Sequence, residues 1–272
     1  MGYLNPKELT AQYAAAGAAK TAKPALPLLL LAVLAGALIA LGCAATNTAV
    51  HAMDNVGLAR TVCGLLFPFG LCMVIVSGAE LFTGNSLIVI TLLERRCTLG
   101  AMVRNWVLVY LGNFAGALLV AAGCAAFGQL NYSGGLLAVY TIRTAAAKCA
   151  LAPLNGFGLG IFCNILVCLG VLMAMSSKDA AGRLMGAFIP VAYFVLCGFE
   201  HCVANMYYIP AGLLALQNPD YARLAQSAGV NLAPLTWGNF FLRNLMPVTL
   251  GNVAGGAGLG ALMWAAHLRK AD

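Results

Sequence analysis

Long apolar runs, separated by short polar stretches, dominate the hydrophobic pattern of this chain. A helix that crosses the hydrocarbon core of a bilayer needs about 20 such residues. Lipid offers no partner to unpaired backbone groups, so such spans have to be helical. The pattern therefore predicts an all-α integral membrane protein with six transmembrane helices, at about 25–45, 62–93, 103–127, 154–175, 184–216 and 245–267.

The second and fifth runs differ from the other four. A Phe-Thr-Gly-Asn stretch at 82–85 interrupts the second, and the fifth, residues 184–216, is too long for one crossing. The fifth also carries Glu200 and His201 in its middle, although only 8% of the residues are charged. Ionisable side chains this deep in an apolar segment are costly and usually functional. We therefore expect helices two and five to be interrupted, with His201 on a transmembrane pathway.

An internal repeat relates these two runs. Residues 78–85 (GAELFTGN) align with 198–205 (GFEHCVAN) at an offset of 120, so that Gly, Glu, a small residue and Asn recur at the same spacing. A second match pairs the Arg-Asn and Gly-Asn-x-x-Gly motifs of 104–116 with those of 243–255. Three spans per half imply two inverted repeats, which place a substrate path at the midplane between broken helices. The exposed N–H groups and positive dipole of a broken helix suit an anion.

Composition and charge limit the class of protein. With 62% hydrophobic residues and a mean hydropathy of +0.89, the chain does not match a soluble domain. The net charge of +7 is spread over loops, so no nucleic-acid partner is expected. The repeat divides the chain into an N-terminal amphipathic helix on the membrane surface or over a pore mouth (1–24), a first three-span repeat (25–127), a connecting loop (128–153), a second repeat (154–267) and a C-terminal tail (268–272).

The loop charges predict an orientation. Ten of the 15 Lys and Arg residues lie in the N-terminal segment, the loops near 94–104 and 178, and the C-terminal tail, while five lie in the alternate loops. Because cytoplasmic loops carry the excess of Lys and Arg, both termini should be cytoplasmic, in a bacterial inner membrane. The ten cysteines lie mostly in apolar runs without a Cys-x-x-Cys pair, so we expect neither a metal site nor a cofactor.

Four motifs resemble the signatures of the formate/nitrite transporter family, and the resemblance extends over nearly the whole chain. The motifs are Glu80-Leu-Phe-Thr83, Gly112-Asn113-x-x-Gly116, Gly198-Phe-Glu200-His201-x-x-Ala204-Asn205 and Pro247-Val-Thr-Leu-Gly251-Asn252. The resemblance implies an aquaporin-like fold and a homopentamer with one pore per protomer. It also implies passage of a small monovalent anion, such as formate, nitrite or hydrosulfide, without chemical conversion, so that the protein would not be an enzyme.

By the same resemblance, His201 corresponds to the central pore histidine and Thr83 to the hydroxyl residue that faces it, with Glu200 and Asn205 as polar partners behind them. Other residues matched by the resemblance or the repeat are the apolar constrictions Phe67, Leu71, Leu81, Phe82 and Phe194, the vestibule charges Lys20 and Lys148, and the repeat partners Glu80, Asn85, Asn113 and Asn252. The Thr-Gly-Asn-Ser stretch at 83–86 is more similar to the hydrosulfide branch than to the Ser/Thr-rich stretch of formate channels. The identity of the anion therefore stays open.

The residues suggest a mechanism and leave two alternatives. An apolar constriction costs an anion several kcal/mol, about the desolvation penalty of a buried ion, whereas a neutral weak acid pays far less. His201 could stabilise the anion by hydrogen bonding or by giving it a proton. A pore for neutral small solutes would not need Glu-His at its centre. An intramembrane enzyme could use Glu80, Glu200 and His201, but the chain has no second intramembrane His and no Glu-x-x-x-His pattern.

Overall fold

The structure, a computed structural model, describes residues 3–269. Within that range the only regular elements are helices, and the one β-bridge joins Tyr3 to Ser177. The elements run in order as α1 Pro6–Ala22, α2 Ala25–Val50, α3 Val56–Leu66, α4 Phe69–Ser77, α5 Phe82–Asn85, α6 Ile88–Leu93, α7 Leu99–Ala126, a 3₁₀ turn Gln129–Gly135, α8 Leu136–Ala150, α9 Pro153–Ser176, α10 Ala180–Cys197, α11 Cys202–Ala215, α12 Pro219–Ser227, α13 Trp237–Asn239, a π-helical turn Phe240–Leu245 and α14 Met246–His267.

Six helical stretches of the described chain are long and apolar enough to cross a membrane, which confirms the predicted class. The second begins at Val56, six residues earlier than predicted, because the Asn55 side chain caps it by accepting the N–H of Leu58 at 2.9 Å. The sixth begins at Trp237 instead of 245, since α13 and the π-helical turn lead directly into α14. The predicted tail lies mostly outside the described residues, which end at 269.

Both predicted interruptions occur, and both begin at a glycine. α4 ends at Gly78 (φ 64°) and α10 ends at Gly198 (φ 72°), a left-handed conformation that glycine adopts without steric cost. The fifth span breaks where expected, between α10 and α11. The second breaks at 78–81, just before the predicted position, and 82–85 itself is the short helix α5. The glycine of the Gly-x-Glu motif, and not the Thr-Gly-Asn stretch, ends the helix.

Residues 128–153, predicted to be a connecting loop, contain the helix α8. α8 packs on α11, and in the same way α1 packs on α6. The buried face of α1 includes Tyr13 and Gly17, and a Cβ atom at Gly17 would lie 1.9 Å from the Thr91 hydroxyl oxygen. α1 is therefore packed against protein and does not lie free on a bilayer surface. Each repeat consequently consists of three spans preceded by one additional helix.

Close packing between helices holds each repeat together. α2 packs along α7 in the first half and α9 along α14 in the second. A Cβ atom at Gly116 would lie 2.0 Å from the carbonyl oxygen of Val33, and one at Gly255 would lie 2.2 Å from that of Ile161. Small residues that let two backbones approach this closely are typical of membrane helix pairs. The glycines of the two Gly-Asn-x-x-Gly motifs thus bring their asparagines next to the helix breaks.

Candidate functional site

The two helix breaks meet at a contact between Thr83 and His201, which we call the central pair. Thr83 Oγ1 lies 3.0 Å from His201 Nε2, and the two residues are 0% and 3% exposed. Thr83 lies in the first turn of α5, and His201 is the N-cap residue of α11. The pair therefore joins the two inverted repeats where two helices begin, and the N-terminal dipole of α11, a helix of 14 residues, favours negative charge there.

The hydrogen bonds of the central pair indicate where its protons lie. The backbone N–H of Ala204 donates to His201 Nδ1 at 3.0 Å, so Nδ1 acts as an acceptor and carries no proton. In the neutral ring the proton is then on Nε2, which donates to Thr83 Oγ1. Since the Thr83 oxygen accepts this bond, its own hydrogen remains available to a further acceptor. The tautomer is inferred from this network of partners.

Aromatic and aliphatic side chains surround the central pair. The Phe194 ring stacks on the His201 ring at a centroid distance of 5.8 Å, and Phe67 meets Phe194 edge-to-face at 5.6 Å. The residues predicted as constrictions are all buried, at 4% exposure or less: Phe67, Leu71, Leu81, Phe82 and Phe194. The polar atoms of the central pair are thus enclosed by hydrocarbon, where an unpaired charge is costly.

A closed network of four residues supports the first break. Lys20 Nζ donates to Glu80 Oε2 at 2.6 Å, and Asn85 Nδ2 donates to the same oxygen at 3.0 Å. Asn85 Nδ2 also donates to Asn105 Oδ1 at 2.9 Å, and Asn105 Nδ2 donates to the Lys20 carbonyl at 3.1 Å. Lys23 adds a second ammonium group at 2.9 Å from Glu80 Oε1. A carboxylate with several donors can remain charged in a buried site.

The second break has a network of the same construction. Lys148 Nζ donates to Glu200 Oε1 at 2.8 Å, and Asn205 Nδ2 donates to Glu200 Oε2 at 2.6 Å. Asn205 Nδ2 also donates to Asn244 Oδ1 at 2.7 Å, and Asn244 Nδ2 donates to the Lys148 carbonyl at 3.0 Å. The two Lys–Glu–Asn–Asn networks therefore match residue for residue. Each fixes the additional helix of its repeat, α1 or α8, to a helix break.

Two further asparagines form hydrogen bonds with the backbone at the helix breaks. Asn113 Oδ1 accepts the N–H of Phe82 at 2.8 Å, and its Nδ2 donates to the carbonyls of Ala32 and Glu80 at 2.8 and 2.9 Å. Asn252 repeats this pattern in the second half, accepting from Cys202 and donating to Gly160 and Glu200 at 2.8–2.9 Å. These bonds satisfy backbone groups that the interruption leaves without helical partners.

The lysines predicted as vestibule charges offer less unpaired positive charge than expected. Lys20 and Lys148 occupy corresponding places in the two halves, but each is ion-paired to a glutamate, with side-chain exposures of 26% and 18%. Much of their charge is therefore offset by a carboxylate within 3 Å. In this structure they hold the breaks together as well as lining the ends of the site.

Several residues of the site were not predicted as members. Lys23 joins Glu80, while Asn105 and Asn244 close the two networks. Asn164 donates to the carbonyls of Thr83 and Asn252 at 3.1 and 2.6 Å, and so connects the two repeats. The repeated Arg-Asn motif could have identified Asn105 and Asn244 from the sequence. Asn164 has no such repeat signal.

The described residues contain no group of three or more His, Cys, Asp or Glu side chains that could hold a metal ion. Cysteines near the breaks are single thiols packed against backbone, as with Cys168, whose sulfur lies 3.4 Å from the Thr83 carbonyl oxygen. The chemistry that residues 3–269 offer at the site is hydrogen bonding and charge pairing.

Comparison with known proteins agrees with this arrangement. The sequence profile of the family described as Formate/nitrite transporter matches residues 7–266. The chain is 38% identical over 229 residues to the formate channel FocA of Haemophilus influenzae, covering 83% of this chain and 81% of that protein. Such relatives are channels and transporters, which confirms that the protein is not an enzyme.

Two solved structures have the same fold. One, described as a pentameric formate channel with formate bound, superposes with a TM-score of 0.76 at 34% identity, covering 90% of this chain and 98% of the other. The second, described as an FNT family ion channel, gives a TM-score of 0.82 at 25% identity, covering 95% and 98%. The matched profile, the identity to FocA and the shared fold lead to one conclusion: the chain belongs to the formate/nitrite transporter family.

Proposed function

We propose that this protein is a channel for small monovalent anions of weak acids, with formate as the first candidate. The observation that carries the proposal is the central pair, two polar side chains held 3.0 Å apart inside an apolar enclosure where the helix breaks meet. The relative FocA is named a formate channel, and one structural neighbour contains formate. Nitrite and hydrosulfide remain candidates, because both are small anions of weak acids.

The central pair would stabilise the anion by hydrogen bonding. The Thr83 hydroxyl accepts from His201 Nε2 and so has its own hydrogen free for an anion oxygen or sulfur. This hydrogen bond partly replaces the water that the anion loses among the buried side chains Phe67, Leu81, Phe82 and Phe194. The N-terminal dipole of α11 acts in the same direction. A charge-assisted hydrogen bond is roughly twice as strong as a neutral one.

A proton carried by His201 itself would require a change in structure. To give up a proton and remain neutral, the ring must first be protonated on both nitrogens. Nδ1 already accepts the Ala204 N–H, and a proton there would face that N–H directly. The cap of α11 would have to open with each transfer. The geometry therefore favours a neutral His201 that donates a hydrogen bond, with any proton needed by the anion taken from water at a pore mouth.

The assembly and orientation are part of the same proposal. We infer a homopentamer, since the formate-bound neighbour is described as pentameric and covers 90% of this chain. The protein would lie in a bacterial inner membrane with both termini in the cytoplasm.

Proteoliposomes and radiolabelled formate test the function. Labelled formate added outside should reach the lumen much faster in vesicles with the protein than in protein-free vesicles, and should be recovered unchanged. Nitrite and hydrosulfide in the same assay, with competition against formate, would rank the anions. Acetate is a size control, and glycerol swelling tests the alternative of a neutral-solute pore. Rapid glycerol swelling without formate uptake would reject the proposal in favour of that alternative.

The variant His201→Asn separates the two roles of the histidine. The shorter Asn side chain can still accept the Ala204 N–H in place of Nδ1, but it does not reach Thr83 and does not titrate. If His201 acts only as a donor, the variant should lose flux about equally at every pH between roughly 5 and 8, the range in which an ordinary imidazole titrates. A change in the shape of the pH profile would instead show that His201 carries a proton.

A further inference from the structure

We propose that Arg60 is an anion-capture residue at the mouth of the pathway beside α8, a role that rests on the proposed function and adds a specificity-determining cation to it. We call this end of the pathway, where Lys148 and Glu200 lie, the α8 mouth. The end where Lys20, Lys23 and Glu80 lie is the α1 mouth.

The position of Arg60 on its helix places it in line with the apolar residues of the site. Residues seven and eleven positions apart lie on one face of an α-helix. The face of α3 and α4 that carries the buried Phe67 and Leu71 therefore carries Arg60 two turns further out, about 10 Å from Phe67. Leu58 and Leu65, apolar residues of this span that are 55% and 53% exposed, lie on the opposite face.

The surroundings of Arg60 confirm that it faces the second helix break. A Cβ atom built on Gly198 would lie 3.3 Å from Nη1 and 3.6 Å from Cζ of Arg60. The guanidinium group thus rests against the glycine at which α10 ends, two residues before Glu200. The ammonium group of Lys148 contacts the same break, since it is ion-paired to Glu200 at 2.8 Å.

The charges at the two mouths indicate what Arg60 contributes. At the α1 mouth, Lys20 and Lys23 share Glu80, so one positive charge is in excess. At the α8 mouth, Lys148 and Glu200 cancel. No carboxylate among residues 3–269 lies within salt-bridge distance of Arg60. Arg60 is exposed and therefore adds to the α8 mouth a positive charge that the Lys148–Glu200 pair does not offset.

The chemistry of the guanidinium group suits the proposed substrates. Its planar fork of N–H donors matches two oxygens of a carboxylate in a bidentate arrangement, and formate and nitrite both present two such oxygens. Arg60 would raise the local anion concentration at the α8 mouth and favour planar two-oxygen anions over spherical ones such as chloride.

Formate uptake into vesicles of neutral lipid tests the inference through its salt dependence. An impermeant organic salt should slow uptake by the unmodified protein, because the Debye length falls from about 30 Å at 0.01 M to about 10 Å at 0.1 M. Arg60→Gln should raise the half-saturation concentration for formate roughly two- to fivefold at low salt, the effect of one unit charge at about 10 Å in a mostly aqueous mouth. It should also flatten the salt dependence. Arg60→Lys should keep the salt dependence but lose part of the preference for formate over chloride.

A second variant leaves Arg60 in place and neutralises it. Val56 is 73% exposed and lies four residues before Arg60, so Val56→Glu supplies an i,i+4 carboxylate. Like Arg60→Gln, this variant should raise the half-saturation concentration for formate and flatten the salt dependence. Arg183 is exposed and lies near the other end of α10 from Gly198, so Arg183→Gln gives a control remote from the α8 mouth, which should behave like the unmodified protein.

The results that overturn the inference differ from those that overturn the channel. Unchanged half-saturation and salt dependence in Val56→Glu, or in a folded Arg60→Gln, would reject the capture role. An equal loss of flux by Arg60→Gln at every salt concentration, not restored by Arg60→Lys, would show a purely structural role. If the unmodified protein takes up no formate at any salt concentration, the proposed function itself fails.

Discussion

At the scale of single residues, the central pair acts through the one hydrogen atom that it leaves free to donate a hydrogen bond. His201 has one nitrogen occupied by the Ala204 N–H and the other directed at Thr83. This arrangement makes the Thr83 hydroxyl a donor without a partner inside an apolar enclosure, which is the property an anion site needs. The sequence predicted that Thr83 and His201 would face each other. It did not predict the Ala204 contact, because an N-cap bond depends on where the helix begins.

Replacing the Thr83 hydroxyl should therefore impair transport more than it alters the fold. Thr83→Val keeps the shape of the side chain but removes both the acceptor for His201 Nε2 and the free donor. An anion at the centre then loses a hydrogen bond to a charged group, worth about 1.5–3 kcal/mol, so formate flux per protomer should fall roughly tenfold or more. Thr83→Ser should retain most of the flux. Flux in Thr83→Val equal to that of the unmodified protein would contradict the proposed role of the hydroxyl.

The helical elements show where sequence reasoning succeeded and where it did not. The internal repeat located both interrupted helices, because Gly-x-Glu and Gly-Asn-x-x-Gly recur at fixed spacing. It placed the first break a few residues late, since the positive φ of Gly78 was not visible in a run that also contained Gly84. It missed α8, because 136–150 carries Arg143 and Lys148 and was interpreted as a loop. Only the packing of α8 on α11 reveals that it corresponds to α1.

The two interrupted spans should depend equally on their bracing asparagines. Asn113→Ala and Asn252→Ala each remove three buried hydrogen bonds to backbone groups that water cannot easily reach. We expect each to destabilise the protein by about 2–5 kcal/mol, a range typical of broken buried networks. The measurement is thermal unfolding of the detergent-solubilised protein, which is monitored through the loss of its monodisperse peak.

A matched control is Asn55→Ala, which removes an exposed N-cap with a single bond to Leu58. Loss of such a cap costs typically about 1 kcal/mol. A melting temperature for Asn113→Ala or Asn252→Ala no lower than that of Asn55→Ala would show that these asparagines do not stabilise the interrupted helices.

At the scale of the whole molecule, the two repeats are alike in their hydrogen bonds and differ in their charge. The Lys–Glu–Asn–Asn networks and the asparagine braces match across the repeats, whereas Lys23 at the α1 mouth has no counterpart in the second network. The offset between the halves was readable from the sequence because the motif residues are rare in an apolar chain. The ion pairs could not be predicted from the sequence, since Lys20 and Lys148 are far in sequence from their glutamates and only the fold brings them together.

The distribution of charge also predicts an orientation, which can be tested in the intact cell. Six crossings return the C-terminus to the side of the N-terminus, and each pair of half-helices counts as one crossing. The loops on that side hold ten Lys and Arg residues against five on the other, so they should be cytoplasmic.

Green fluorescent protein fused after residue 269 should fluoresce, because it folds in the cytoplasm, whereas alkaline phosphatase at the same point should be inactive. Alkaline phosphatase inserted after Gly229, on the opposite side, should be active. The reverse pattern of activities would contradict the predicted orientation and place the α8 mouth, with Arg60, in the cytoplasm.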